Sequence, residues 1–203
     1  MPRPKSLTTT ALAAAALAVV DRDGLAALSM RAVAAELGVG TMSLYRYVAD
    51  REELEALAVE LMLSEVDVTT PRHALWDKQL AVLAERVRAA VGKHPNAVPL
   101  TMAHRHRSQG LLRWGEAVLA VLTRAGFTGT ERAIALRALL SHVIGAIELE
   151  HGSPLSGAGT AAMAELGAEF PLMAETAAAA RGIDADDEFR RGLGVVLRGL
   201  RRP

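Results

Sequence analysis

Between Ser29 and Val48 the chain reads SMRAVAAELGVGTMSLYRYV, and this stretch constrains the fold more than any other. Two short helical patterns flank Gly38-Val39-Gly40. Val33 and Leu37 share a face of the first, Leu44 and Val48 share a face of the second, and Val39 fills the turn. Ala34 is small where the two segments must cross, and Gly38 stands where the turn needs a positive φ. Such a unit is a helix-turn-helix. The outward positions of its second segment are Thr41, Met42, Ser43, Arg46 and Tyr47, and both tyrosines of the chain, Tyr45 and Tyr47, lie there. Glycine turns between short helices also occur in plain bundles; the agreement of so many positions at once favours the specific motif.

The flanks are helical too. Leu12, Ala16, Val19 and Val20 mark one face of a helix over 8–22, ended at Asp23-Gly24. Ser29 caps 30–37 and Asp50 caps a helix reaching about Val66, with Glu52 and Glu53 favouring its N-terminus. Thr69-Thr70-Pro71 marks a linker. Beyond it the periodicity predicts helices over 76–93, 109–125, 131–150, 161–168, 172–181 and 184–201, with a short apolar stretch at 98–104 and a long loop through 152–159. The helix 131–150 is apolar nearly all round, which predicts burial on most sides.

Composition points the same way. Apolar residues make up 51% of the 203 residues but aromatics only 3%, so the core rests on Ala, Leu and Val, with few strand-forming side chains. The fold class is all-α: a three-helix helix-turn-helix domain over 1–66 and a helical domain over 67–203. Cysteine is absent, which excludes disulfides and thiolate chemistry. The apolar run 11–20 is too short to span a bilayer and carries no cleavage site, so a cytoplasmic chain without membrane association is expected. Twenty-three cations balance twenty-three carboxylates, and all but three of the cations are Arg. A bulk polycation is excluded, but planar, bidentate Arg recognition is not.

The stretch Leu44-Tyr45-Arg46-Tyr47-Val48-Ala49-Asp50-Arg51-Glu52-Glu53-Leu54, taken with Leu25–Gly38, resembles the N-terminal domain of the tetracycline-repressor (TetR) family of bacterial regulators. The similarity covers about residues 8–66, with Ser29 in place of the usual Thr. Trp76, Gly126-Phe127 and the apolar helix after them resemble the tetracycline-repressor branch. The resemblance implies that Arg31 contacts a base or phosphate, that Thr41, Met42, Ser43 and Arg46 read bases, and that Tyr45, Tyr47 and Arg51 hold backbone phosphates. Those side-chain types suit these roles. It further implies a homodimer on a palindromic double-stranded DNA operator, released when a small effector favours wrongly spaced reading heads. An activator, or an interaction module that no longer reads DNA, is the alternative. The latter draws on charge: residues 1–66 hold six cations against nine carboxylates.

An effector pocket of Val66, Leu83, Val87, Met102, His104, Trp114, Val118 and His142 would be mostly apolar with few polar anchors. A small hydrophobic effector is expected, with no metal and no cofactor, and not magnesium-tetracycline. His104 and His106 in a helix would point about 200° apart, too divergent to share a metal. No catalytic constellation stands out, so no enzyme is expected. Dimerisation is expected through 131–150 and 184–201, with Phe189, Leu193, Val196, Leu197 and Leu200 in the contact.

Overall fold

The structure, a computed structural model, describes residues 7–200. The end of the last predicted helix, at Arg201, lies outside the described residues. Every regular element among the described residues is helical: α1 (Thr9–Asp23), α2 (Met30–Glu36), a 3₁₀ helix (Thr41–Arg46), α3 (Arg51–Ser64), α4 (Trp76–Gly92), α5 (Val98–His104), α6 (Gln109–Arg124), α7 (Gly129–Gly152), α8 (Ala158–Ala164), α9 (Pro171–Ala180) and α10 (Ala185–Gly199), with short 3₁₀ turns at Leu25–Ala27, Pro95–Ala97 and Arg105–Arg107. The chain folds as two compact units. Among the described residues, one comprises 7–69 with 85–117, the other 70–84 with 118–200.

In the first unit the predicted caps Ser29 and Asp50 form, and Thr8, expected as the first helical residue, caps α1. The Thr8, Ser29 and Asp50 side chains accept from the backbone N–H of Ala11, Ala32 and Glu53. The Glu53 carboxylate accepts from Ala49 N–H at 2.7 Å, so donors on both sides of the α3 start are satisfied. Leu12, Ala16 and Val20 from α1, Val33 and Ala34 from α2, Leu44 and Val48 after the turn, and Leu54, Ala58 and Met62 from α3 close the core. The α3 helix ends at Ser64, so Val66 lies beyond it.

The second unit contains the Trp76–Phe127 edge-to-face pair, with ring centroids 5.5 Å apart. The α7 helix is longer than its pattern suggested and leaves only 153–157 before α8, so the long loop reduces to five residues. Its burial is also narrower. Only Ala135, Leu139, Val143 and Ile147 are buried, one residue every four, while Ile134 and Leu149 are each 54% exposed. A uniformly apolar helix shows no preferred face in sequence, so the covered stripe follows from its neighbours. Phe189, Leu193 and Leu197 of α10 are 2%, 1% and 8% exposed within the single chain. They are core residues and cannot form the contact face between two copies; of the expected stripe, Val196 and Leu200 remain half-buried.

Candidate nucleic-acid interface

The helix-turn-helix is closed by backbone geometry. Gly38, at φ 66°, ends α2 in the left-handed region. Val39 N–H donates to Ala34 O and Gly38 N–H to Ala35 O, 3.0 and 3.1 Å, the paired bonds of a Schellman stop. Val39 and Ala34 occupy the two positions that pack together in this motif, so the turn is fixed apart from its outward side chains.

The second segment differs from the expected α-helix. It winds as a 3₁₀ helix over Thr41–Arg46, with Ser43 N–H donating to Gly40 O and Tyr47 N–H to Leu44 O. Gly40 offers no capping side chain, and Thr41, Ser43 and Tyr45 are all poor α-formers, so a six-residue segment settles into the tighter winding. The inward anchors keep their places, with Leu44 fully buried and Val48 2% exposed. Outward, Met42 is 78% and Tyr45 48% exposed. Arg31, Arg46 and Arg51 are exposed, while Thr41, Ser43 and Tyr47 are half-buried. Arg31, Met42, Tyr45, Arg46 and Arg51 therefore offer solvent-facing groups to a duplex, and the other three offer their edges.

The excess carboxylates of residues 1–66 are answered inside this unit. Residues 85–117 carry six cations against two carboxylates. Along α3, Glu52 pairs with Arg107 at 3.2 Å and Glu55 with His104 at 3.0 Å. Glu60 accepts from Ser108 Oγ at 2.7 Å and Gly110 N–H at 3.2 Å. Arg113 donates to Ser64 O. On α1, Asp21 pairs with His94 at 2.8 Å, and Asn96 donates to Val20 O and Asp21 O at the helix end. These contacts are invisible to a count over residues 1–66, because the partners lie 48 or more positions downstream.

The expected effector residues fall on both units. Val66, Val87, Met102, His104 and Trp114 belong to the first unit, and Leu83, Val118 and His142 to the second. Leu83, Trp114 and Val118 are at most 1% exposed, so they are closed core positions. His104 is buried and spent on Glu55. Val66 lines a cavity of about 610 Å³ between α1, α3 and the end of α4, floored by Ala14, Leu17, Ala18, Met62 and Ala90. His142 lines a separate cavity of about 270 Å³ between α7 and α10. Its ring lies 5.5 Å from that of Phe189, and Nε2 sits 3.4 Å from Phe189 O.

Burial holds the His142 imidazole below its ordinary value, partly offset by the Phe189 carbonyl. A lowered folded value means that the unfolded chain takes up the proton first, so stability falls as pH drops through about 6.5 and levels off below the folded value. We expect the unfolding midpoint of the wild type to fall more steeply over that interval than that of His142→Gln. Equal slopes would assign the pH dependence elsewhere.

A rigid glycine turn presenting exposed arginines and a tyrosine on an all-helical frame defines a helix-turn-helix DNA-binding protein. The chain belongs to the TetR family of bacterial transcriptional regulators. Residues 12–56 match the family of bacterial regulatory proteins, tetR family, and residues 70–203 match the tetracyclin repressor-like, C-terminal domain. It is 32% identical to the HTH-type transcriptional repressor DrrR1 of Streptomyces coeruleorubidus, over 98% of this chain and 78% of that relative. It is 26% identical to the class D tetracycline repressor protein of Escherichia coli, over 92% and 85%. Its fold matches the Streptomyces coelicolor TetR family protein ActR in complex with (S)-DNPA, at a TM-score of 0.82 and 26% identity, over 98% of each chain.

Proposed function

We propose that the protein is a dimeric repressor that binds a palindromic operator and leaves it when a small hydrophobic effector binds. Residues 1–66 form the reading domain, residues 67–203 the effector and dimerisation domain, and the protein acts in the cytoplasm. The observation that carries the reading is the outward row Met42, Tyr45, Arg46 over a floor of buried Leu44 and Val48. Relatives named as repressors, and a 26% identical regulator crystallised with a small molecule, support the two halves of the proposal. The exposed Ile134 and Leu149 on α7 and Val195 on α10 support a partner copy over their outer faces. Of the proposed effector contacts, Val66, Met102 and His142 keep side-chain surface, whereas Leu83, Trp114 and Val118 would require the packing to open.

The test is a salt-dependent shift assay on the DNA upstream of its own gene, followed by a thermal-shift screen of hydrophobic natural products. Compounds that raise the midpoint are then tried for DNA release. Arg46→Ala is expected to lower operator affinity by about 1–3 kcal/mol, roughly 5- to 150-fold, with an unchanged unfolding midpoint. Wild-type affinity on both operator and random DNA would remove Arg46 from the reading face.

A further inference from the structure

We propose that His104 is a positioning residue for Arg51, acting through Glu55; this rests on the reading of Arg51 as a phosphate contact. The Glu55 carboxylate divides its oxygens between two partners. Oε1 accepts from Arg51 Nε at 2.7 Å, and Oε2 faces His104 Nε2 at 3.0 Å. The side chains run from outside to inside, with Arg51 48%, Glu55 15% and His104 6% exposed. Arg51 Nη2 also donates to Leu25 O at 3.4 Å. Two of the five guanidinium N–H groups are thus engaged within the chain, and three stay available to a phosphate.

An Arg–Glu pair at i, i+4 is a weak and mobile contact on an exposed helix. Here the second oxygen is pinned by a buried ring, which leaves the carboxylate one orientation and sets the plane of the guanidinium. The backbone that carries the ring is itself anchored. It closes α5, and the chain that follows is fastened to α3 by Arg107 on Glu52 and by Ser108 and Gly110 on Glu60. Through this chain of contacts, the placement of α5 sets the orientation of a DNA-contacting arginine at the start of α3.

The experiment measures the affinity of the full-length protein for a labelled duplex from upstream of its own gene, and for a scrambled duplex, across a salt series. Loss of one phosphate contact lowers the slope of log K against log salt by about 0.9. Arg51→Ala is expected to show that loss. His104→Ala is expected to show most of it, with roughly fivefold weaker binding, and to add nothing in the Arg51→Ala background. His104→Gln, whose amide can donate to Glu55, is expected to keep the wild-type slope, and its unfolding midpoint shows that the fold survives. A wild-type slope in His104→Ala, or an equal loss on top of Arg51→Ala, overturns the proposal. A wild-type slope in Arg51→Ala overturns the phosphate role itself, and the proposal with it.

Discussion

Gly110→Ala is expected to lower the stability of the first unit by about 3 kcal/mol and to abolish operator binding at ordinary concentrations. A methyl group at this position would meet Leu63 O, and would lie 2.5 Å from the Leu63 carbonyl carbon and 2.8 Å from Ser64 N. These are backbone atoms of the last turn of α3, so no rotamer change relieves the overlap. The start of α6 has to move away from α3, and the Gly110 N–H bond to Glu60 goes with it. Gly115→Ala is the control. Beyond its own turn of helix no atom lies within 4 Å of its added methyl, and a helical Gly replaced by Ala gains up to about 1 kcal/mol. Denaturation of both variants by urea measures the contrast, and equal midpoints would mean that α3 and α6 yield freely.

The second large effect separates two roles on α10. Leu193→Arg is expected to unfold the second unit, at a cost of about 4 kcal/mol or more, because Leu193 is 1% exposed within the single chain. Val195→Arg, at 61% exposure, is expected to change protomer stability by no more than about 0.5 kcal/mol and to yield monomers. Light scattering together with circular dichroism distinguishes the two results. A folded monomer from Leu193→Arg would reverse the assignment.

The contrast shows what the sequence made legible. Local chemistry was readable: the caps Ser29 and Asp50, and the positive φ of Gly38, follow from residue types within a few positions. The apolar stripe of α10 was also readable, but its cover was not. Period 3.6 shows that Phe189, Leu193 and Leu197 share a face, and cannot say whether α7 of the same chain or a second copy lies against it. The reading segment was placed correctly and wound wrongly, since six residues carry too little propensity to separate α from 3₁₀. The pocket residues were expected from family positions and apolar character; Trp114 and Val118 then proved fully packed.

The row of contacts from Arg107, His104, Ser108 and Gly110 onto α3 bears on how this protein can be recombined with its relatives. A transplant that ends at residue 66 leaves Glu52, Glu55 and Glu60 facing whatever the recipient supplies at those points. Three carboxylates would then meet foreign side chains on a helix that follows directly on the reading segment. A chimera that exchanges residues 98–113 together with the head carries both sides of each pair, and under the proposed function it is the cut expected to keep the DNA preference of the head.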